Sequence, residues 1–260
     1  MRRLRGQTVF ITGASSGIGA ACARTFASYG ARLLLAARRT KRLEAIRPLL
    51  TSDGAEAVHL LELDVRDEPA VRAAVDGLEP AWSEIDVLVN NAGLSRGLGP
   101  LYTGELDDWN QMIDTNIKGL LYVDRAVARG MVARRRGTII HIGSIAGRET
   151  YPGGNVYCAT KHAVRALTEG LRIDLNGTGV RVGSIDPGLV ETEFARVRFD
   201  GDADRARSVY RGLTPLDATD VAEAVAFAAS RPAHVNVADL LLLPTDQASA
   251  TVVRRDADAD

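Results

Sequence analysis

The sequence has little that would support disulfide bonding, metal binding or attraction to a polyanion. Its 260 residues include 2 cysteines and 4 histidines, and aromatic residues make up 5% of the chain. Cys22 and Cys158 lie in different predicted helices and indicate no disulfide framework. No His or Cys spacing is typical of a metal site. The formal net charge is -1, which gives no electrostatic reason to expect nucleic acid as a partner.

Long apolar runs are also missing. None approaches the roughly 18 residues of a membrane-spanning helix, so no membrane partner is expected. The basic start, Met1–Arg5, is not followed by the apolar stretch of a signal peptide, and we expect a cytoplasmic protein. The composition is 46% hydrophobic and 25% charged, which is ordinary for a globular chain. We predict one domain over residues 1–253 and a flexible, charged tail over 254–260.

Short apolar runs alternate with helical patterns along the whole chain. This alternation is typical of a parallel sheet covered by helices, and it predicts an α/β fold. The predicted strands are Thr8–Thr12, Arg32–Ala37, Ala57–Leu63, Val87–Asn90, Gly137–Gly143, Arg181–Ile185 and Leu240–Leu243. The predicted helices lie near residues 17–29, 40–51, 67–78, 106–135, 156–176, 203–211 and 218–230.

A glycine-rich segment follows the first predicted strand and opens the first predicted helix. It reads Gly13-Ala14-Ser15-Ser16-Gly17-Ile18-Gly19. Glycines allow a tight turn and a close approach of the backbone to a pyrophosphate, and the helix directs its N–H groups at that anion. Glycines also simply make turns, but this position between strand and helix favours a dinucleotide site.

The end of the second strand predicts which dinucleotide is bound. An acidic residue there would hold a ribose 2′-hydroxyl, but Ala37 is followed by Arg38 and Arg39. Guanidinium groups pair well with phosphate oxygens, so we predict NADP rather than NAD. The alternative is a solvated basic turn at the start of a helix.

Polar or small residues also follow the other predicted strands. Asp64 lies where it could accept from an adenine amino group or cap the next helix. The segment Asn90–Gly93 suits either close approach to a ligand or a turn, and a Pro-Gly turn at Pro187 and Gly188 ends the sixth strand. Residues 193–212 are polar and rich in arginine. We expect a mobile lid there, with an ordinary surface helix pair as the alternative.

Ser144, Tyr157 and Lys161 form the candidate reaction centre. Lys161 lies four positions after Tyr157, so the two side chains share one face of a helix. A cation at that distance lowers the pKa of a phenol, which can then exchange a proton with a substrate oxygen. The Ser144 hydroxyl can hydrogen-bond the same oxygen. Asn116, inside the predicted helix 106–135, is locally unfavourable there and is a further candidate.

Together these residues resemble the short-chain dehydrogenase/reductase family. The resemblance covers nearly the whole chain and combines the segments Thr12–Gly19, Asn90–Gly93 and Pro187–Thr192 with the four residues just described. It implies a single-domain Rossmann fold, a doubly wound seven-stranded parallel sheet flanked by helices, in a homotetramer. It implies that Tyr157 is the acid/base, that Ser144 positions the substrate oxygen, that Lys161 binds the nicotinamide ribose and that Asn116 holds a relay water.

The implied residues divide into a catalytic set and a cofactor set. The catalytic residues are Asn116, Ser144, Tyr157 and Lys161. The NADP(H)-binding residues are Gly13, Ser15, Ser16, Gly17, Ile18, Gly19, Arg38, Arg39, Asp64, Val65, Asn91, Ala92, Gly93, Tyr157, Lys161, Pro187, Gly188, Val190 and Thr192.

A narrower resemblance concerns the second half of the chain. The segments Gly153–Tyr157, Leu171–Leu175, Thr192–Phe194, Val197–Asp202 and Pro232–Asn236 look like the NADP-dependent 3-hydroxy acid dehydrogenases, which act on L-allo-threonine and serine. Cys158 and the segment Arg148–Thr150 depart from that subgroup.

This narrower resemblance implies a small 3-hydroxy acid as substrate. Its carboxylate needs a cation, for which Arg148 and Arg198 are candidates, and Asn155 is a further substrate candidate. Two alternatives remain: an NADPH-dependent reductase of another carbonyl, such as a sulfonated aldehyde, and a non-catalytic NADP-binding protein.

Overall fold

Seven parallel strands form one sheet in the order β3-β2-β1-β4-β5-β6-β7. In the computed structural model, which describes residues 2–256, each neighbouring pair is parallel. The strands are β1 Thr8–Thr12, β2 Arg32–Ala37, β3 Ala57–Glu62, β4 Val87–Asn90, β5 Gly137–Ile142, β6 Val180–Pro187 and β7 Asp239–Leu242. The sequence analysis predicted all seven, with bounds that differ by no more than two residues.

Helices connect the strands and cover both faces of the sheet. They are α1 Gly17–Ser28, α2 Thr40–Ser52, α3 Glu68–Asp76, α4 Pro80–Ser83, α5 Leu106–Ile113, α6 Leu120–Arg134, α7 Asn155–Asp174, α8 Phe194–Arg198, α9 Ala203–Ser208 and α10 Ala218–Ala229. In the described residues, no helix combines the length and the apolar character that a membrane span requires.

The central strands are buried along their whole length, because helices pack on both sides of them. On one face, Val9 and Ile11 of β1 belong to a cluster that includes Phe26 of α1 and Val225 of α10. On the other face, Phe10 belongs to a second cluster, which includes Val123 and Met131 of α6. Continuous apolar strands of this kind are characteristic of parallel sheets covered on both faces.

The predicted helix over residues 106–135 is interrupted. Residues Asp114–Gly119 form a π-helical segment between α5 and α6. Its last residue packs so closely on strand-end residue Val65 that a Cβ at Gly119 would lie 2.7 Å from a Val65 methyl carbon. The sequence signal was the unfavourable amide of Asn116, and π-helical turns are frequent at functional sites.

One other difference lies outside the sheet. The short helix α4 was not predicted, since four residues are too few to show a helical period. At the start of the predicted tail, Arg254 and Asp256 donate backbone hydrogen bonds to the carbonyl oxygens of Asp246 and Gly212 at 2.8 and 2.7 Å, and the flexibility of the tail stays a prediction. Residues 257–260 lie outside the described part of the chain.

The chain order along the sheet reverses between β1 and β4, which are adjacent in the sheet. The loops that leave these two strands run to opposite sides at their carboxyl ends. In doubly wound sheets a crevice opens at this point and binds the ligand. The glycine-rich segment follows β1, so the topology brings it to the mouth of this crevice.

Candidate active site

A cleft of about 320 Å³ lies at the carboxyl ends of the strands. Its wall includes all of the predicted cofactor-binding residues except Gly19, and it also includes Ser144. Further lining residues that the sequence analysis did not single out as a site are Ala37, Leu63, Leu94, Thr115, Ile142, Gly143, Glu193, Phe194 and Val197. One continuous surface therefore joins the glycine-rich segment to the candidate reaction centre.

The glycine-rich segment has the conformation that a phosphate-binding loop needs. Gly13 and Gly17 adopt left-handed backbone angles, with φ of +66° and +52°. Gly19 lies behind the cleft wall, where an added Cβ would overlap the Gly13 carbonyl oxygen and lie 2.6 Å from Asn91 Nδ2. Gly19 thus allows α1 to pack closely on the loop, which is a structural contribution rather than a direct contact with ligand.

The arginines after β2 lie beside the hydroxyls of the glycine-rich segment. Arg39 Nη2 donates to the hydroxyl oxygens of Ser15 at 3.2 Å and Ser16 at 2.8 Å. Arg38 lines the same part of the cleft, and its guanidinium is 4.0 Å from the Asp64 carboxylate. Two guanidiniums and two hydroxyls at one end of the cleft form a donor set that suits a phosphate group.

This basic end contains an ion pair that the sequence analysis missed. Arg42 donates to both carboxylate oxygens of Glu193, at 2.9 and 2.6 Å, and Arg39 approaches the same carboxylate at 3.5 Å. These arginines hold the pKa of Glu193 below its ordinary value. The position of Arg42 one helical turn after Arg39 was the available signal, but its partner is 151 residues away.

Asp64 lines the cleft, and its carboxylate is already paired. The guanidinium of Arg66 donates to it at 2.6 to 3.0 Å and holds its pKa below the ordinary value. The alternative role, capping the next helix, is wrong: Asp67 caps α3 by accepting from the N–H of Ala70. Asp64 therefore shapes the wall together with Arg66, and a contact with adenine stays a prediction.

Tyr157 and Ser144 meet at the floor of the cleft. Both side chains are buried and line the cleft, and the Ser144 hydroxyl lowers the pKa of the Tyr157 phenol. Ser144 Oγ accepts from the N–H of Ala146 at 3.1 Å, which fixes the position of the seryl oxygen. Two neighbouring hydroxyls in one cleft wall can hold a single substrate oxygen between them.

Lys161 lies beside this pair on α7, and it is also buried. Its ammonium donates to the Ile142 carbonyl at 2.8 Å and is 6.0 Å from the centre of the Tyr157 ring. Burial lowers the pKa of Lys161 to about 8, and the charge of Asp186 opposes that change. An ammonium has three N–H donors, so two remain for a ligand in the adjacent cleft.

The sequence analysis predicted that Lys161 lowers the pKa of the Tyr157 phenol, but in the structure this pKa is raised. Burial raises the pKa of Tyr157, as does the neighbouring Tyr151, while the Ser144 hydroxyl and the charge of Arg198 each lower it. Desolvation of the phenolate therefore outweighs these two lowering effects. The phenol holds its proton at neutral pH, which suits the direction of reaction in which it donates a proton to a substrate oxygen.

Asn116 is buried, and its side-chain oxygen and nitrogen both hydrogen-bond to other residues of the protein. Its Oδ1 accepts from the N–H of Leu94 at 2.8 Å, and its Nδ2 donates to the Leu94 carbonyl at 2.8 Å and the Thr160 hydroxyl at 3.0 Å. Asn116 thus ties β4's loop to α7, where Tyr157 and Lys161 lie. A relay water, if present, would bind its main-chain carbonyl, and that role stays a prediction.

Two of the three predicted substrate residues lie at the site, and one does not. Arg148 donates to Asp186 at 2.8 Å and to Asp239 at 2.6 Å, and it is not among the residues that line the cleft. Because two carboxylates already hold its guanidinium, Arg148 is not available to bind a substrate carboxylate. The Arg148 prediction failed because both partners are remote in sequence, on β6 and β7.

Asn155 and Arg198 line a second cavity of about 250 Å³, here called the rear cavity. Tyr157 is the one described residue that lines both this cavity and the cofactor cleft. Asn155 Nδ2 donates to the Gly99 carbonyl at 3.1 Å.

The predicted lid is a helix pair, α8 and α9, joined by a small apolar cluster that includes Ala195, Phe199 and Ala206. Its mobility stays a prediction.

The cleft fits a dinucleotide by its shape and its chemistry. A Cβ at Gly13 would lie 2.9 Å from Asn91 Nδ2 and 3.0 Å from the Ala92 Cα, so the backbones approach closely where a pyrophosphate passes. Donors for phosphate lie at one end, and a partly bonded ammonium lies at the other. In the described residues, no group of three or more metal-ligating side chains is placed to hold a metal ion.

The comparisons with known proteins agree with this geometry. An NADP-dependent 3-hydroxy acid dehydrogenase, YdfG of Salmonella typhi, is 47% identical over 243 residues, which cover 93% of this chain and 96% of the relative. Sulfoacetaldehyde reductase 2 of Chromohalobacter salexigens is 48% identical over 250 residues, which cover 95% of this chain and 98% of the relative.

A solved structure, the closed form of serine dehydrogenase complexed with NADP+, superposes with a TM-score of 0.90 at 44% identity, and the match covers 96% of this chain and 100% of that one. Residues 7–203 match the sequence model described as short chain dehydrogenase. The resemblance inferred from the motifs is thus confirmed over most of the chain. The protein belongs to the short chain dehydrogenase family.

Proposed function

We propose that the protein is an NADP-dependent oxidoreductase that transfers a hydride between the nicotinamide and a small 3-hydroxy acid or the matching 3-oxo acid, of the serine or L-allo-threonine type. The observation that carries this proposal is that Tyr157, Ser144 and Lys161 lie together in the wall of a cleft that fits a dinucleotide. The cofactor supplies the hydride chemistry itself.

Each residue of the centre would have a separate task. The Tyr157 hydroxyl would donate a proton to the substrate carbonyl oxygen during reduction and accept it during oxidation. The Ser144 hydroxyl would hydrogen-bond the same oxygen while its charge changes. The Lys161 ammonium, with two N–H donors to spare, would bind the nicotinamide ribose hydroxyls. Asn116 would hold the β4 loop and α7 in register.

The preference for NADP would reside in the basic end of the cleft. Arg38 and Arg39 would bind the 2′-phosphate, with the hydroxyls of Ser15 and Ser16 as further donors. No carboxylate occupies the end of β2 to hold a free ribose 2′-hydroxyl, since Ala37 stands there. The relatives named above include two described by their use of NADP, which supports this preference.

A second candidate function is the reduction of a sulfonated aldehyde. It is favoured by the 48% identity to sulfoacetaldehyde reductase 2. Both candidates use the same hydride and proton transfers, and both substrates carry an anionic group near the reacting carbon. They differ in the shape and charge distribution of that group.

A substrate panel tests the two candidates. Purified enzyme with NADP would be assayed with serine, L-allo-threonine, 3-hydroxyisobutyrate and isethionate, and with NADPH against uncharged aldehydes and sulfoacetaldehyde, by nicotinamide absorbance. We expect kcat/KM to be highest for a 3-hydroxy acid. Turnover of uncharged aldehydes alone would reject both candidates, and binding of NADPH with no turnover of any compound would favour a non-catalytic role.

We also propose a cytoplasmic homotetramer. Exposed apolar side chains support self-association: Ile173 of α7, Phe227 of α10 and Leu241 of β7 are 67%, 41% and 41% exposed. Light scattering after size exclusion would measure the oligomer directly. A monomer at micromolar concentration would contradict the assembly without affecting the proposed reaction.

A further inference from the structure

The rear cavity meets the cofactor cleft at the reaction centre. Because Tyr157 lines both spaces, a substrate whose oxygen is held by Tyr157 would lie where the cofactor cleft and the rear cavity adjoin. The rear cavity is bounded by the loop after β4, the start of α5, the segment before α7, and Arg198 at the end of α8. A small substrate has room there for its non-reacting end.

Two arginines in this wall, Arg96 and Arg198, each have a buried donor without a partner among the described residues, and Arg198 is the one next to Tyr157. Arg198 Nε donates to the Gly97 carbonyl at 3.0 Å, and Nη1 donates to the Tyr151 hydroxyl at 3.0 Å. Nη2 is buried and has no partner among the described residues. A buried donor without an acceptor is destabilising, and native proteins keep such groups mainly where function requires them.

The guanidinium is also close to the reaction centre and held in place. Its central carbon lies 5.9 Å from the centre of the Tyr157 ring and 5.4 Å from that of Tyr151. Two hydrogen bonds and two aromatic faces limit its rotamers, so little conformational entropy remains to be lost when it binds an anion. Arg148, the other candidate cation, is already paired with two carboxylates.

The other charges at the rear cavity do not serve this purpose. Arg96 Nε also has no partner among the described residues, but the charge of Arg96 is balanced by its ion pair with Asp200, and its Nη1 donates to the Val197 carbonyl at 3.1 Å. Glu105 and Asp108 line the cavity near the start of α5, so they would repel an anion placed at that end. An anion is therefore favoured at the end of the cavity that Arg198 and Tyr157 form.

We infer that Arg198 binds the acidic group of the substrate, with Tyr151 as the positioning residue that holds its guanidinium. This assignment rests on the function proposed above and deepens it. The shared chemistry is a planar or tetrahedral anion two or three bonds from the reacting carbon, a carboxylate in the hydroxy acids and a sulfonate in isethionate. Recognition by a rigid guanidinium then selects acids over their uncharged analogues.

The test compares charged and uncharged substrates in Arg198→Gln. The wild-type enzyme and the variant would be assayed with 3-hydroxypropionate, its methyl ester and isethionate. We expect kcat/KM for the acid to fall about 10- to 100-fold, because a charge-assisted hydrogen bond is lost. Activity with the ester should change less than about threefold. A parallel loss with isethionate would show that carboxylate and sulfonate share the site.

Two further variants separate binding from structure. Arg196→Gln, an exposed arginine on the same helix, is the matched control and should leave all three substrates unaffected. Tyr151→Phe removes the hydroxyl that holds Arg198, so it should raise KM for the acid by a smaller factor than Arg198→Gln does and spare the ester. Thermal melts and NADPH binding would verify that each variant is folded.

A pH profile gives a readout that loss of packing alone would not produce. The groups that act on the Tyr157 phenol are Arg198, Tyr151, Cys158 and Ser144, and Lys161 lies beside it on the same helix; the charge of Arg198 lowers the phenol pKa. In Arg198→Gln that pKa should rise, so the increase of ester oxidation with pH should move to higher pH.

Equal losses with acid and ester in Arg198→Gln would overturn the assignment, and so would an unchanged preference for the acid. If the wild-type enzyme oxidised the ester but no acid, the proposed function would fail instead. The two failures are therefore distinguishable.

Discussion

The glycine-rich segment and the lid face each other across the cofactor cleft, and different forces hold them. Thr192, the residue before the lid, lies beside the glycine-rich segment, since a Cβ at Gly17 would lie 3.4 Å from its side chain. The glycine-rich segment is held by close backbone packing. An added Cβ at Gly13 or Gly19 would overlap neighbouring atoms, including Asn91 Nδ2. The lid, by contrast, has a small apolar cluster and is tied to its surroundings by ion pairs such as Arg42–Glu193 and Arg96–Asp200.

This difference has a physical consequence for each wall. Packed backbone tolerates no added atom, but it is insensitive to salt. Exposed ion pairs contribute little each, roughly 0 to 1 kcal/mol, and weaken as ionic strength rises. A wall that binds a constant cofactor benefits from rigidity, whereas the predicted lid would open on every turnover. The following experiments test this contrast, from the largest expected effect to the smallest.

Tyr157→Phe removes the hydroxyl where the two walls converge. We expect kcat/KM to fall about 10³-fold, because general acid–base catalysis contributes roughly 10² to 10⁴. NADPH binding, measured by fluorescence, should change little because the ring remains. Tyr102→Phe, at a side chain that is 88% exposed, is the control and should retain full activity. A Tyr157→Phe enzyme with more than a tenth of wild-type activity would argue against an acid/base role.

Gly19→Ala tests the packed wall. The added methyl overlaps the Gly13 carbonyl, so we expect unfolding free energy to fall by about 2 kcal/mol, within the range for overpacking. Gly170→Ala is the matched control on α7, because its Cβ would meet nothing within 4 Å. That substitution should stabilise by up to roughly 1 kcal/mol through helix propensity. Chemical denaturation measures both, and equal effects would refute the packing argument.

Arg39→Ala tests the basic end of the cleft. We expect KM for NADP to rise about tenfold, since one charge-assisted contact to phosphate is worth roughly 1.5 kcal/mol, while KM for NAD should stay nearly constant. Lys41→Ala, an exposed neighbour on α2, controls for loss of positive charge. Equal changes for NADP and NAD would mean that Arg39 does not distinguish the two cofactors.

Glu193→Gln tests the lid's ion pair and should have the smallest effect. We expect NADPH to dissociate about two- to fivefold faster, because the contact that joins the lid to α2 is weakened. Arg42→Gln should act similarly, and the double variant should add little further. Stopped-flow displacement at low and high salt would measure this, with Glu191→Gln as control. Strictly additive effects would indicate that Arg42 and Glu193 act independently.

The predictions succeeded where the signal is local in the chain. Apolar runs such as Val87–Asn90 can be recognised as buried strands because every residue is apolar or lies at the strand's polar end. The segment Gly13–Gly19 can be recognised because a phosphate loop needs glycine at fixed spacing. Tyr157 and Lys161 follow from helical periodicity alone. The cleft wall includes Tyr157, Lys161 and, from the glycine-rich segment, Gly13, Ser15, Ser16, Gly17 and Ile18, while Gly19 packs just behind it.

The predictions failed where a side chain's partner is distant in sequence. From the sequence alone, Arg148 and Arg198 are equally suitable as anion-binding residues. In the structure, Arg148 forms ion pairs with Asp186 and Asp239. Arg198 Nη2 has no hydrogen-bond partner among the described residues. The prediction that the pKa of Tyr157 is lowered failed for a related reason. Periodicity revealed the neighbouring lysine, but the degree of burial, which has the larger effect, depends on how α7, α8 and the β5 loop pack together.

The order of residues along the chain was enough to establish a parallel α/β sheet, a dinucleotide loop and a tyrosine–lysine pair, because each is a short-range pattern imposed by backbone geometry. The tertiary structure decided that Arg198 rather than Arg148 keeps a donor unpaired among the described residues. It also decided where the π-helical turn forms around Asn116 and how Glu193 connects the lid to α2. These outcomes depend on contacts between segments separated by tens of residues or more, and desolvation and charge pairing act only once those segments have come together.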